Sequence, residues 1–533
     1  MGDPVVSIRR EPGMGTGEEA QAPGGALCAR GNEQRSAWSG TVKAKDNEAP
    51  RDGRPGVAES RTTREAGTPT PGDPVEGRGR RDMEPSGGKI TRPQTLGTSS
   101  TKLARIADLA REDRSRSFRS LAHYIDIEWL REAYRRTRKD GATGVDGQGA
   151  EEYAENLEEN LQRLLDRFKS GTYRAPPVRR VHIPKGDGRT RPLGIPTFED
   201  KLLQRAVVMA LGAVYEQDFL DCSCGFRPKR SAHQALERVW KSLMNMEGGW
   251  VLDVDSQGFF DTIDPGHLRA FLDHRVQDGV IRRTIDKWLK AGVQEDGALT
   301  YPETGTPQGG VVSPLLANIF LHEVLDKWFF EDIAPRLRGR AALVRYADDF
   351  VITCELEEDA RRVWAVLPKR FEKYGLTLHP SKTRLVPFPK PPATEAKKPK
   401  PPEGSEPPRF DLLGFTHFWA RSRKGNWVVK RKTSTKRFSR ALKAIREWCW
   451  VNMHRPIRDQ AKELGMKLRG HCQYYGITGN SHALSSFKHW LVRAWFWALG
   501  RRSRKADMTW ERFNRLLEVF PLPPAIAVHS THR

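Results

Sequence analysis

Tyr346-Ala347-Asp348-Asp349-Phe350 sets two adjacent carboxylates between apolar runs, Ala341-Ala342-Leu343-Val344 before and Phe350-Val351-Ile352 after. Short β-branched and aromatic runs around a tight polar centre predict a β-hairpin with the Asp-Asp pair at its tip. Two carboxylates held that close repel unless a cation neutralises them. A divalent ion such as Mg²⁺ suits hard oxygen ligands; a solvated acidic turn is the plainer alternative.

A second carboxylate strand narrows the choice. Trp250-Val251-Leu252-Asp253-Val254-Asp255 alternates, with Val251, Asp253 and Asp255 on one face and Trp250, Leu252 and Val254 on the other. A carboxylate ending a buried strand needs a partner. Beside the Asp-Asp hairpin it predicts a two-metal site, suited to joining a hydroxyl to a phosphate.

Composition agrees with a polyanionic partner. The net charge is +23, and residues 430–533 hold 22 Lys and Arg against 6 Asp and Glu, so most of the excess lies there. The 6 cysteines are scattered, so no disulfide framework is expected and a reducing compartment fits. Cys222-Ser223-Cys224 lacks the second pair that a zinc site needs. Ala206–Leu211 is too short a run to span a membrane, and the N-terminus has no signal-peptide pattern.

Asp255-Ser256-Gln257-Gly258-Phe259-Phe260-Asp261 and Tyr346-Ala347-Asp348-Asp349 resemble the two metal-binding motifs of reverse transcriptases. The likeness is to bacterial group II intron-encoded proteins and runs from about residue 105 to 530. It implies an α+β right-hand polymerase fold: fingers and palm with a small antiparallel sheet bearing the aspartates, then an α-helical thumb and maturase domain. It implies an RNA-directed DNA polymerase that binds its intron RNA, assists splicing and copies the RNA into DNA during retrohoming. The alternative is a splicing maturase whose polymerase site is unused. The implied partners are intron RNA, an RNA template with a DNA or RNA primer, deoxynucleoside triphosphates and target DNA, with no membrane. The implied setting is the bacterial cytoplasm, near the nucleoid. The chain stops at Arg533 without paired cysteines or a His-Asn-His pattern, so the compact type without an endonuclease domain is expected.

The resemblance also assigns residues. Asp255, Asp348 and Asp349 would hold two Mg²⁺ ions, with Ser256 offering only its backbone carbonyl. Lys185 and Arg191, in Ile183-Pro184-Lys185 and Arg191-Pro192-Leu193-Gly194-Ile195-Pro196, would grip the triphosphate; contact with template phosphate is the other reading. Phe260 would lie beneath the sugar and exclude a ribose 2′-hydroxyl, with Phe259 in the core. Gln308, in Gly305-Thr306-Pro307-Gln308-Gly309-Gly310, would lie against the nascent base pair, and Gly309-Gly310 would permit close backbone approach. Ser313 is the expected N-cap of the helix that follows. Lys382 either serves the leaving pyrophosphate or is a surface lysine. Asp253 is expected beside the metal ligands, and Asp261 as a helix cap. Arg227 touches nucleic acid or is structural.

The basic C-terminal region carries Leu468-Arg469-Gly470-His471-Cys472-Gln473-Tyr474-Tyr475-Gly476-Ile477-Thr478-Gly479-Asn480, which resembles the family's thumb and maturase signature. Arg469, Tyr474, Tyr475 and Asn480 are RNA-facing or domain-closing residues on that basis; the tyrosines are otherwise thumb core. Arg501-Arg502-Ser503-Arg504-Lys505 is a cationic patch suited to phosphates. The expected organisation is a disordered Gly/Pro-rich extension over 1–102, fingers and palm over 103–425 and the helical domain over 430–533. A Pro/Lys-rich insertion lies at 387–408. The extension is either a tail that touches RNA or upstream coding sequence before a start near Met83.

Overall fold

The computed structural model describes residues 98–184, 190–301, 309–392, 408–503 and 508–529. The expected extension and insertion fall mostly outside those residues, as do Lys185, Gln308, Arg504 and Lys505. Residues from Thr91 onward form one unit.

Among the described residues the strands form four sheets. β1 (Val178–Pro184) pairs antiparallel with β2 (Thr190–Ile195), setting Ile183 opposite Arg191. The sheet bearing the carboxylates contains β3 (Trp250–Val254), β4 (Ala341–Tyr346), β5 (Asp349–Cys354) and β6 (Arg384–Pro387), in the order β6-β3-β5-β4. Every neighbour in it is antiparallel. A third sheet, β7 (Arg409–Leu412), β8 (Phe415–Arg421) and β9 (Trp427–Thr433), is a meander. Its first turn, Leu413-Gly414, has φ of 50° and 82° at its central residues, as a two-residue hairpin requires. The fourth pairs Ser256–Gln257 with Thr377–Leu378.

Alternation along β3 decides what packs on each side. Leu252 and Val254 join Leu343, Phe350 and Ile352 against the N-terminal helices. Val251 faces the other way, with Val344 and Val351, onto the third sheet. One of the helices on the first side is α1 (Phe198–Tyr215), whose Leu202, Leu203, Ala206, Val207, Ala210 and Leu211 are buried. Thr197 caps it by accepting the Asp200 N–H at 3.2 Å. On the opposite side lies α2 (Ala232–Asn245), which opens with a capping box between Ser231 and Gln234.

Helix α3 (Ser313–Leu321) begins one residue earlier than expected: Val312 is the capping residue, so Ser313 is already helical. The chain then widens into π-helical turns over His322–Asp326 and Trp328–Ile333. The C-terminal helices α4 (Thr435–Val451), α5 (Ile457–Tyr475) and α6 (Ser481–Gly500) have their own core. It includes Leu442 and Ile445 of α4, Leu464 and Leu468 of α5, and Leu491 and Trp495 of α6. Each such side chain contributes roughly 1.5–3 kcal/mol by burial. No described helix is long and apolar enough to cross a membrane.

Candidate metal and nucleotide site

The predicted hairpin forms. Tyr346 pairs with Asp349, leaving Ala347-Asp348 as a two-residue turn with Ala347 at φ 59°. That conformation disfavours an L side chain by roughly 1–2 kcal/mol, so something must hold it. The holder is Arg345, 0% exposed. Its guanidinium donates to both Asp326 carboxylate oxygens at 2.8 and 2.5 Å, to Asn318 Oδ1 at 2.9 Å and to the Ala347 carbonyl at 3.1 Å. Asn318 Nδ2 in turn donates to the Gly225 carbonyl at 2.8 Å. Gly225 lies so close beneath the turn that a Cβ there would stand 2.2 Å from the Ala347 nitrogen.

Asp253, Asp255, Asp348 and Asp349 lie within electrostatic reach around this turn. Asp349 lies at the exposed start of β5, yet loss of solvent around its carboxylate pushes it up to about 6, with Asp348, Asp255 and Asp253 adding to the rise. Asp348 is raised by burial, and the positive charge of Arg191 on β2 opposes the rise. Asp253 is pushed up to about 6 by burial, partly offset by Arg384, which donates to it at 3.2 Å. Asp255 follows β3; its carbonyl accepts the His379 N–H at 2.8 Å and its carboxylate holds the Lys382 ammonium. As the side chains stand, no three His, Cys, Asp or Glu among the described residues close on one point. The donor set nevertheless fits hard divalent ions. Asp255 raises the proton affinity of Asp253, Asp348 and Asp349, and a cation relieves that repulsion.

The remaining expectations divide. Phe259 is buried and Phe260 half-buried, the two rings edge to face at 5.4 Å. Ser256 sits in its short strand with its hydroxyl buried and unbonded. Gly309 has φ 121°, but the close approach it permits is to β2: a Cβ there would stand 2.4 Å from the Gly194 carbonyl oxygen. Asp261 lies inside a short helix, Phe259–Thr262, instead of capping one. Arg227 is structural: it is 8% exposed, and it donates to the Leu220 and Ser223 carbonyls at 2.7 and 2.9 Å.

In the C-terminal signature the structure favours the domain-closing reading over the RNA-facing one for Asn480, Tyr474 and Tyr475. Asn480 does not face RNA: it is 1% exposed, accepts the Thr433 N–H at 3.0 Å and donates to the Tyr475 carbonyl at 2.8 Å. Tyr474 donates to the Leu413 carbonyl at 2.8 Å and stacks on Phe415. Tyr475 also packs on Phe415, so both tyrosines tie α5 to the third sheet. Arg469 and Arg501 are exposed, and Arg502 donates to the His454 carbonyl at 3.2 Å.

Sequence reasoning missed Arg345, Asp326 and Asn318. The signal was present: alternation puts Arg345 on the core face of Leu343, and a buried guanidinium demands a carboxylate. Phe226, beside Arg227, is 58% exposed with φ 55°, and its ring lies 6.4 Å from that of Tyr346.

Comparison with known proteins agrees with this geometry. Residues 183–417, which span both aspartate motifs, match the family described as reverse transcriptase (RNA-dependent DNA polymerase). The chain is 39% identical over 477 residues to the group II intron-encoded protein LtrA of Lactococcus lactis subsp. cremoris, covering 73% of this chain and 75% of that protein. It is 36% identical over 280 residues to protein YkfC of Escherichia coli (strain K12), covering 46% of this chain and 74% of that one. A nuclear intron maturase 2 of Arabidopsis thaliana matches at 26% over 171 residues, covering 25% of this chain and 23% of that protein. The chain belongs to the reverse transcriptases, and within them to the group II intron-encoded reverse transcriptase/maturase family. It is an RNA-directed DNA polymerase of that kind, acting on nucleic acid in a family that generally uses divalent metal.

Proposed function

We propose that Asp255, Asp348 and Asp349 hold two Mg²⁺ ions for addition of deoxynucleotides to a primer on an RNA template, with the Ser256 carbonyl as a further ligand. The observation that carries this reading is the clustering of carboxylates from β3 and the β4–β5 hairpin, tight enough that Asp348, Asp255 and Asp253 all raise Asp349. When bound, the metal ions supply Lewis acidity toward the primer 3′-hydroxyl and the departing pyrophosphate. Arg191, within electrostatic reach of Asp348, and Lys185 position the triphosphate. Phe260 lies beneath the sugar and rejects a ribose 2′-hydroxyl; Gln308 contacts the nascent pair. Lys382 keeps its ammonium at Asp255, where it can give a proton to pyrophosphate.

The right-hand arrangement follows from the same reading, with residues 103–425 as fingers and palm and 430–533 as the thumb and maturase domain. Arg469, Arg501 and Arg502 meet intron RNA through phosphates, which supports splicing assistance and retrohoming into target DNA. The test is primer extension on RNA with Mg²⁺ and deoxynucleotides, comparing the wild type with Asp348→Ala plus Asp349→Ala. The variant is expected to lose extension by about a thousandfold or more. Undiminished extension by that variant rejects the metal-site assignment.

A further inference from the structure

Trp450, Trp490 and Trp497 leave 51%, 42% and 57% of their surfaces open. They are not scattered. Trp450 lies in the last turn of α4, and Trp490 and Trp497 lie two turns apart on α6, whose opposite stripe of Leu484, Leu491 and Trp495 fills the core. With Arg446, Arg493 and Arg501 they line one groove of about 310 Å³. The Arg493 guanidinium lies 5.6 Å from the Trp490 ring centre, and Arg501 lies 5.6 Å from that of Trp450. The Arg493 Nε is buried with no hydrogen-bond partner. Among the described residues no carboxylate lines the groove.

We propose that this groove binds an unpaired stretch of RNA, its bases stacked on the indoles and its phosphates on the arginines. Indole faces accept any base but need it unstacked from its neighbours, which a duplex does not offer. Tryptophan and arginine also mark protein interfaces. Here, though, three positive charges stand without an acid among the described lining residues, so a second copy of this face sets like charge against like. The inference rests on the polymerase reading only in that RNA is the nucleic acid the enzyme handles. Position supports it. Arg437, in the first turn of α4, is close enough to lower the proton affinity of Asp349, and Trp450 follows roughly 20 Å further along the helix axis. A strand held there lies beyond the reacting end.

The experiment measures binding of a short fluorescein-labelled oligouridylate to the full chain by anisotropy, with a blunt RNA duplex and a polyglutamate peptide as competitors. Trp490→Ala plus Trp497→Ala is expected to weaken the oligouridylate by about tenfold or more per lost stack. Phenylalanine at both positions is expected to restore most of it, and answers the question if the alanine variant melts early. Arg446→Gln plus Arg493→Gln is expected to lower the slope of log affinity on log salt by about 0.7 per lost phosphate contact. Binding within twofold of wild type in the alanine variant overturns the proposal. So does an equal loss of duplex binding, stronger competition by polyglutamate than by oligouridylate, or wild-type self-association that the alanine variant abolishes. Primer extension by the same wild-type preparation separates the two readings. Lost extension with the tryptophan effect intact rejects the polymerase site alone; the reverse rejects the groove alone.

Discussion

Two regions invert the usual placement of side chains in opposite ways. Under the Asp-Asp turn a charge lies where apolar groups belong: Arg345 and Asp326 are both 0% exposed. On the α4–α6 face aromatic rings lie where charges belong, Trp497 at 57% exposure among arginines. The first inversion is satisfied internally, because Arg345 finds Asp326, Asn318 and the Ala347 carbonyl. The second is not, since the open indoles forgo burial worth about 25 cal/mol per Å² and none of the described residues covers them. A misplaced group with every bond filled is scaffold. A misplaced group left open is a surface for something else.

The sharpest way to break this contrast is at the carboxylates, which belong to neither kind: they are half-buried or exposed, Lys382 meets Asp255 and Arg384 meets Asp253, and among the described residues no ion pair holds Asp348 or Asp349. The double alanine variant at 348 and 349 is expected to lose activity without losing stability. Removing two carboxylates whose proton affinity the fold raises relieves repulsion, so its Tm above pH 7 should equal or exceed that of the wild type. A thermal scan beside the extension assay checks this; a markedly lower Tm would make the activity loss a folding defect.

Next in size is Asp326→Ala. It strands a fully buried guanidinium, and breaking such a pair costs about 3–5 kcal/mol. The substitution should lower Tm and, because the Ala347-Asp348 turn loses its anchor, slow extension as well. Trp497→Ala should change stability by no more than about 0.5 kcal/mol, as surface substitutions do. Chemical denaturation of both variants tests the comparison directly. If Trp497→Ala destabilises as much as Asp326→Ala, the aromatic face is core and not a docking surface.

Much of the carboxylate site was legible in the sequence because its signals are local. The alternation of 250–255 gave the strand and its two faces, and the apolar runs flanking Asp348-Asp349 gave the hairpin. What sequence could not supply was partnership across distance. Asp326 is 19 residues from Arg345, on a π-helical turn that no periodicity announces. Asn480 read as an RNA-facing or domain-closing residue; only the fold shows its amide spent on Thr433 and Tyr475. Helix periodicity puts Leu442, Ile445, Trp448 and Cys449 of α4 on one stripe, and they pack in the core, Trp448 only in part, whereas Trp450, one residue on, turns outward because a helix rotates about 100° per residue.

Asp200 falls between the two kinds of inversion and offers the smallest of these tests. It is 2% exposed and accepts from the Tyr173 hydroxyl, from the Trp288 indole at 2.7 Å and from the Gln204 amide at 3.0 Å. Gln204 then takes the Val312 N–H at 3.2 Å, so this acid reaches the start of α3. Three neutral donors do not fully offset burial, and the carboxyl is pushed up from 3.8 to about 6. The folded chain therefore holds this proton more tightly than the unfolded chain. Its contribution to stability is full below about pH 4 and is lost as pH rises through about 6, by up to about 3 kcal/mol. Asp200→Asn removes the titration. The stability of wild type relative to Asp200→Asn should fall between about pH 4 and pH 6 and stay level above that, measured as the Tm difference across buffers. A difference that rises through that window would mean the three donors outweigh burial, and would move Asp200 into the satisfied class with Arg345.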